Sequence, residues 1–317
     1  MSSILGHARQ IAYLNNALAK SRIAHGYVFF GPEEVGKRTI ALGFLQALLC
    51  REKPKTLDGV CGQCDSCARC ARGAHPAVIA LDAKHHVDFS SEEKNAITID
   101  DIREVRRLFS YAAGNTPWRC LIMDHAEQMT HDAASAFLKL FEEPGERTLM
   151  ILVTSAPDLL PKTILSRAQV IGFSLVPETL MSLYQAKLGT ASESGLRTYA
   201  GGRPGRLIRL HKDPAFQKEH KEIFTAAAAV AEGKNAAETF ALSERIALDP
   251  RLRVQCVENI VSILRGRMIR ETGSGAGEIA RRIRSVDRIA GILESTHVNP
   301  RLAMDVLLLG AATSKEA

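Results

Sequence analysis

Gly31-Pro-Glu-Glu-Val-Gly-Lys-Arg-Thr39 has the spacing of a phosphate-binding loop, and this stretch decides the fold. In a loop of the pattern Gly-x4-Gly-Lys-[Ser/Thr], backbone N–H groups cradle phosphates, the lysine reaches the outer phosphates, and the hydroxyl binds Mg²⁺. Gly36 and Lys37 keep this pattern, but Arg38 stands where the hydroxyl belongs. Thr39 comes one position late, about 100° further around the helix. The sequence therefore predicts a nucleotide site that lacks its magnesium ligand.

Strand-like apolar runs alternate with helical patterns on both sides of this loop. One run leads directly into the loop and four follow it, at residues 25–30, 75–81, 118–124, 148–154 and 170–173. Strands that alternate with helices indicate a mainly parallel sheet with helices on both faces. The first part of the chain is therefore predicted to be an α/β domain.

The length of 317 residues favours more than one domain, because a single hydrophobic core rarely grows this large. We expect the α/β domain in residues 1–175, with a metal-binding insertion near residues 50–70. Residues 176–212 have the pattern of three short helices. Residues 213–317 are helical in pattern. This predicts an all-helical C-terminal domain.

The bulk properties leave the partner open. A net charge of +6 and a pI near 9.0 are mildly basic, and no dense Lys/Arg tract is present. The N-terminal residues lack a basic-then-apolar targeting segment, and no apolar run approaches the ~18 residues of a membrane span. We therefore expect a cytoplasmic protein that does not enter a membrane.

Five of the seven cysteines lie between residues 50 and 70, and four of these recur at three-residue intervals. In a cytoplasmic chain such a cluster indicates metal rather than disulfides, and paired Cys-x2-Cys turns hold tetrahedral Zn²⁺. A closed tetrahedral site needs four ligands, and five thiols are available. His75 is a further candidate. The residues predict a structural zinc site and leave its fourth ligand open. The candidate thiols are Cys50, Cys61, Cys64, Cys67 and Cys70.

Polar residues follow two of the other predicted strands. Asp124 ends one strand, at the position where nucleoside triphosphatases bind magnesium through its water shell. A second acid usually follows and activates water, but His125 occupies that place. Thr154 ends the next strand, where a hydroxyl could contact a γ-phosphate. Both magnesium-dependent motifs are therefore altered in this chain.

Taken together, these motifs resemble the clamp-loader subunits of bacterial DNA polymerase III, which belong to the AAA+ ATPase group, and among them the delta-prime class most. The resemblance extends over nearly the whole chain. It implies an AAA+ P-loop domain with a zinc-binding insertion, a three-helix lid and a C-terminal helical collar for ring assembly. Its motifs are the loop at Gly31, the cysteines with Gly73-Ala-His75-Pro76, Ala134-Ser-Ala-Phe-Leu-Lys-Leu-Phe-Glu-Glu-Pro144, Leu160-Pro to Ser166-Arg167, Pro204-Gly-Arg206, and residues 298–309.

The resemblance also implies roles for single residues. It favours Cys50, Cys61, Cys64 and Cys67 as the zinc ligands, with Cys70 or, less favoured, His75 as the alternative. In this family ATP lies between neighbouring subunits, and a Ser-Arg-Cys motif lends its arginine to the adjacent subunit's nucleotide. That motif is Ser166-Arg167-Ala168 here, so the arginine is kept. Such an arginine finger acts in trans by neutralising charge on the transferred phosphoryl group.

Active motor subunits of this family carry a hydroxyl after the loop lysine and Asp-Glu at the second motif. Arg38 and His125 therefore imply a stator that does not hydrolyse ATP itself. The family's lid arginine falls on Gly205, with Arg206 one residue later. The implied partners are gamma/tau and delta subunits in a hetero-pentameric ring, the sliding clamp and primer-template DNA. ATP and Mg²⁺ would bind at a neighbouring subunit.

Two other functions compete with this one. The chain could be an active ATPase motor that arranges Lys37, Thr39 and Asp124 in an unusual way. It could also be a stand-alone nucleic-acid module that uses its zinc loop, although interleaved aromatic and basic residues are lacking there. Magnesium-dependent ATP turnover by the isolated chain would separate the first alternative from the stator.

Overall fold

A computed structural model of the chain describes residues 4–52, 56–82, 96–111, 118–190, 195–232, 246, 248–271, 274–295 and 299–312. The first residue of the motif at 298–309 lies outside these ranges. The chain divides into two compact units. One comprises Met1–Tyr184 with Gly202–Gly205, and the other comprises Gln185–Gly201 with Arg206–Ala317.

A five-stranded sheet is the centre of the first unit, and all of its strand pairs are parallel. The strand order is β2-β3-β4-β1-β5. Each strand overlaps one of the five predicted runs, so the predicted α/β fold is confirmed. The strands are β1 Gly26–Phe30, β2 Val78–Leu81, β3 Arg119–Met123, β4 Thr148–Thr154 and β5 Gln169–Gly172.

Helices connect these strands and continue through the second unit. Three short helices, α7 to α9, occupy the stretch where the sequence predicts them. The helices are α1 Ala8–Ala19, α2 Lys37–Leu49, α3 Asp65–Ala71, α4 Ile99–Ser110, α5 His131–Glu142, α6 Lys162–Arg167, α7 Glu178–Lys187, α8 Leu196–Ala200, α9 Pro204–Lys212, α10 Pro214–Ala231, α11 Pro250–Arg270, α12 Ser274–Ser295 and α13 Pro300–Ala312.

The sheet is apolar on both faces, which explains the continuous hydrophobic runs of its strands. Alternate residues of β1 belong to different cores, because successive side chains point to opposite faces. Tyr27 and Phe29 pack in one core cluster, whereas Val28 packs in the other. All seven residues of β4 are buried. This strand is therefore the buried centre of the sheet.

Strand order brings the predicted site residues to one edge of the sheet. β4 lies between β3 and β1, and Phe30 of β1 is in register with Thr154 of β4. Since carboxyl ends of parallel strands share an edge, the loop after β1 and Asp124 after β3 flank Thr154. Ligands of open α/β sheets bind at this edge.

The second unit has its own helical core. Apolar side chains from α10 to α13 are buried together, among them Ile223, Ile260, Leu264, Val286 and Leu307. Within the described part of the chain, no helix has the length and hydropathy needed to span a membrane.

Candidate functional site

The loop between β1 and α2 has the backbone of a phosphate cradle. Gly36 caps α2 with φ 107°, a left-handed conformation that glycine adopts readily. A side chain at Gly31 would bring its Cβ within 2.2 Å of the Phe173 carbonyl oxygen. Both glycines of the motif are therefore required by the local geometry.

Lys37 is folded back onto this loop. Its Nζ donates hydrogen bonds to the carbonyl oxygens of Gly31 at 2.6 Å and Pro32 at 2.7 Å. The residue is buried, and burial lowers the pKa of its ammonium group, while the acidic side chains of Glu33 and Asp124 oppose this effect. A phosphate that entered the loop would compete with these two carbonyl groups for the lysine.

Arg38 forms an ion pair with Asp124. The distance from Arg38 Nε to Asp124 Oδ2 is 3.3 Å, and the two side chains are 48% and 18% exposed. The other carboxylate oxygen, Oδ1, accepts a hydrogen bond from the backbone N–H of His125 at 3.1 Å. The structure therefore places a guanidinium group beside the carboxylate that the sequence assigns to magnesium.

The two predicted threonines lie in different surroundings. Thr39 is exposed on α2, and among the described residues no hydrogen bond or ion pair joins it to Asp124. Thr154 is buried, and its Oγ1 accepts a hydrogen bond from the N–H of Ala156 at 3.0 Å. Thr154 thus stabilises the turn after β4 at the edge where a phosphate would lie.

Glu127 is a member of this polar edge to which the sequence assigned no role. Ser155 Oγ donates to Glu127 Oε1 at 2.8 Å, and His125 Nδ1 lies 3.7 Å from the same oxygen. Burial would raise the pKa of Glu127, but its contacts with His125, Thr154 and Ser155 outweigh burial and lower the pKa to about 2. Contact with Glu127 raises the pKa of His125 against the effect of burial. The only sequence signal was an acid three residues after Asp124.

Four cysteine thiols meet where α2 ends and α3 begins. The sulfur atoms of Cys50, Cys61, Cys64 and Cys67 all lie within 4.8 Å of one another. The Sγ atoms of Cys50 and Cys61 are 3.6 Å apart, and those of Cys61 and Cys67 are 3.7 Å apart. Thiolates around tetrahedral Zn²⁺, with Zn–S bonds of about 2.3 Å, lie about 3.8 Å apart. The donor set and its spacing therefore fit zinc.

Backbone groups support these thiols. Cys61 Sγ accepts from the N–H of Cys64 at 3.4 Å, and Cys64 Sγ accepts from the N–H of Cys67 at 3.5 Å. Hydrogen bonds of this kind orient metal ligands and stabilise thiolate charge. The cluster could hold a metal ion without rearrangement of the backbone.

The two alternative ligands lie apart from this cluster. Cys70 packs against the core on one face of the sheet, and burial raises the pKa of its thiol to about 11. His75 uses both ring nitrogens elsewhere: Nε2 lies 3.1 Å from Ser66 Oγ, and Nδ1 accepts from the N–H of Ala77 at 3.2 Å. Ser66 Oγ also donates to the Leu49 carbonyl oxygen. His75 and Ser66 therefore link α3, which Cys64 caps and which contains Cys67, to the end of α2.

Arg167 is the last residue of α6 and is about half exposed. Its Nη2 lies 3.2 Å from Glu142 Oε1, at the end of α5. Its Nη1 donates to the Thr163 carbonyl oxygen at 3.3 Å and to Ser166 Oγ at 3.4 Å. The guanidinium is therefore presented at the surface and held by two helices.

The lid positions differ in their surroundings. Gly205 donates its N–H to the Glu34 carbonyl oxygen at 2.9 Å, and a Cβ at this position would lie only 3.0 Å from that oxygen. Arg206 is paired instead with Glu258 of α11, at 3.2 Å, and its side chain is only 8% exposed. The position of the family's lid arginine therefore has little room for a side chain, and Arg206 is engaged within the helical unit.

A family model and curated relatives both point to subunits of DNA polymerase III. The family described as "DNA polymerase III, delta subunit" matches residues 6–177, more than half of the chain. The delta' subunit of Pseudomonas aeruginosa is 29% identical over 196 residues, which cover 61% of this chain and 57% of that protein. The tau subunit of Bacillus subtilis is 30% identical over 173 residues, covering 55% of this chain and 29% of that protein.

A solved structure shows the same fold over nearly the full length. A DNA polymerase III gamma subunit-related protein from Thermotoga maritima superposes with a TM-score of 0.51 at 19% identity, covering 96% of this chain and 100% of that one. The chain spans about a third of the tau relative and just over half of the delta' relative. On the match of residues 6–177, the chain belongs to the DNA polymerase III delta subunit family, and it is a clamp-loader family member.

Proposed function

We propose that this chain is a delta-prime-like stator of the DNA polymerase III clamp loader, which hydrolyses no ATP at its own loop and supplies Arg167 to a neighbouring subunit's ATP. Its relatives are named as tau, gamma/tau and delta' subunits, and this supports a role within such a complex. The partners would be gamma/tau and delta subunits, the sliding clamp and primed DNA, in the cytoplasm where replication takes place.

The ion pair between Arg38 and Asp124 is the main support for the proposal that the chain hydrolyses no ATP at its own loop. Hydrolysis in P-loop enzymes needs Mg²⁺ held by the loop hydroxyl and by the second-motif acid. Arg38 removes the hydroxyl, and its guanidinium lies 3.3 Å from the acid. A divalent cation beside Asp124 would have to displace a positive group that the chain itself provides. At the same place, His125 replaces the acid that would activate water.

The arginine-finger role is supported by the surroundings of Arg167. A finger must reach a phosphate on another subunit, so it has to be exposed and keep free donors. Arg167 is 46% exposed, and its three polar contacts involve only two of its three nitrogens. The zinc centre would have a different role, because four thiolates complete its tetrahedral coordination. We assign Zn²⁺ there as a brace of the loop between α2 and α3.

The test uses the loader assembled from this chain and its gamma/tau and delta partners. Arg167→Ala should lower ATP turnover at the one site it serves by up to about 10³-fold, the typical effect of an arginine finger. Lys37→Ala should leave turnover of the complex nearly unchanged. Pre-steady-state hydrolysis at that site measures both variants, and an unchanged rate with Arg167→Ala would remove the finger role.

The matches to tau-type relatives keep the motor as a second candidate, since the tau subunit of Bacillus subtilis is 30% identical over 55% of this chain. A motor requires magnesium-dependent ATP turnover by the purified chain. Robust turnover that Lys37→Ala abolishes would favour the motor. Turnover at the background level in both proteins supports the stator.

A further inference from the structure

We infer that Glu142 is a positioning residue for Arg167, which it holds in the orientation that the neighbouring nucleotide requires. The inference rests on the proposed finger role of Arg167. It adds a second residue to that role, one that would touch neither nucleotide nor magnesium. The observation that supports the inference is the 3.2 Å contact between Glu142 Oε1 and Arg167 Nη2.

The guanidinium of Arg167 is held on two sides. Glu142, the last residue of α5, engages Nη2. The Thr163 carbonyl oxygen and Ser166 Oγ, both from α6, engage Nη1. The carboxylate of Glu142 and two oxygen atoms of α6 therefore hold the guanidinium from two sides.

These contacts leave donors for a phosphate. An arginine has five N–H donors in a rigid fork, and three acceptor atoms occupy the two terminal nitrogens of Arg167. In the described part of the chain, the polar contacts of Arg167 do not involve its Nε. Glu142 can thus remain in place while the remaining donors face a phosphoryl group.

Preorientation matters because a free arginine side chain is costly to order. An arginine side chain loses rotamer entropy when it is ordered, and correct placement of a catalytic group contributes directly to rate. Both side chains of the pair are close to half exposed, and such pairs are individually weak. Glu142 should therefore change the rate of hydrolysis modestly and should hardly change the stability of the fold.

Glu142→Ala is the test, in the assembled loader, with hydrolysis at the served site followed over a range of ATP concentrations up to saturation. We expect the rate to fall about threefold, in the range of exposed ion pairs, with the KM for ATP unchanged. Glu143→Ala is the matched control, since it is the adjacent exposed glutamate, and it should keep the wild-type rate. Glu142→Asp should recover part of the rate, because it restores the charge.

The double variant separates this inference from the finger role. If Glu142 acts through Arg167, Glu142→Ala lowers the rate no further once Arg167 is alanine. An equal loss in both backgrounds would overturn the positioning role, as would a wild-type rate for Glu142→Ala beside a strong loss for Arg167→Ala. A wild-type rate for Arg167→Ala would instead reject the finger itself, and the positioning role with it.

Discussion

Arg38 Nε lies 3.3 Å from Asp124 Oδ2, so the cation that neutralises this carboxylate is part of the chain. In a magnesium-dependent loop the same charge balance comes from a bound ion. A tethered guanidinium cannot polarise water as Mg²⁺ does, and it cannot leave with the product. The charge at the magnesium position of the motif is therefore supplied by the chain itself, although the glycines of the loop are kept.

Arg38→Thr should make nucleotide binding depend on magnesium. The substitution restores the loop hydroxyl and frees Asp124 from its ion pair. We expect the variant to bind a fluorescent ATP analogue roughly tenfold more tightly with Mg²⁺ than with EDTA, the worth of one charged hydrogen bond. The unaltered chain should show no difference between the two conditions.

Arg38→Lys is the control for this experiment, because it keeps a positive charge and supplies no hydroxyl. It should behave like the unaltered chain. Magnesium-dependent binding by the unaltered chain, or its absence in Arg38→Thr, would contradict the assignment of the cation position to Arg38.

The contact between His125 and Glu127 should make stability depend on pH in two windows. The pKa of Glu127 is lowered to about 2 in the fold. Its contribution to the free energy of unfolding is therefore fully present above the ordinary pKa of a glutamate, and it is lost as the pH falls toward the folded pKa. At neutral pH a shift of this size corresponds to at most about 3 kcal/mol. The pKa of His125 is raised, so its contribution is full below about pH 6.5 and is lost as pH rises through the folded value.

Urea unfolding from pH 3 to pH 9 tests both signs. Glu127→Gln should destabilise the protein most at neutral pH and progressively less toward pH 3. His125→Gln should destabilise it most below pH 6.5 and less above. His131→Gln is the matched control, because that histidine is 96% exposed. A pH-independent loss for His125→Gln would show that packing, and not charge, accounts for its effect.

The cysteine cluster contains four thiols, and the fifth, Cys70, lies outside it. Cys64→Ser should lose stoichiometric zinc and lower the melting temperature, because metal binding free energy is also folding free energy. Cys70→Ser should retain zinc, since its thiol lies outside the cluster. Metal content of freshly reduced protein and thermal unfolding with and without EDTA provide the readouts. Loss of zinc in Cys70→Ser together with retention in Cys64→Ser would reverse the assignment.

Much of the fold could be predicted, because apolar strand-like runs that alternate with helical patterns are visible in short stretches of the sequence. The runs that end at Phe30, Asp124 and Thr154 predict a parallel sheet, and strand order then brings their ends together. The mismatch at Arg38 was equally visible. Spacing alone predicted the cysteine cluster, but it could not choose four thiols out of five.

The pairings within the site could not be predicted, because they join residues that are distant in sequence. Nothing local links Arg38 to Asp124, Glu127 to Ser155 or Arg167 to Glu142. Each pair depends on which strands are neighbours and on where a helix ends. Lys37 donates hydrogen bonds to carbonyl groups of its own loop. This contact is local, but the loop motif describes a lysine that binds phosphate and therefore does not predict it.

Arg206 should stabilise the helical unit and contribute little to nucleotide binding. Its side chain is 8% exposed and lies 3.2 Å from Glu258, which is 26% exposed. Removal of one partner from a largely buried ion pair leaves the other charge poorly solvated, at a cost of about 3 kcal/mol. We therefore expect Arg206→Gln to lower the free energy of unfolding by this amount, and Glu258→Gln in the same background to recover part of it.

Arg251→Gln is the control, because Arg251 is 90% exposed beside Asp249 and should be nearly neutral. Urea unfolding measures stability, and titration with a fluorescent ATP analogue measures the nucleotide site of each variant. If Arg206→Gln weakens nucleotide binding while its unfolding matches that of Arg251→Gln, Arg206 acts as the lid arginine. If Arg206→Gln instead lowers stability and leaves nucleotide binding unchanged, Arg206 stabilises the helices. The lid position itself, Gly205, lies so close to Glu34 that it has little room for an arginine side chain.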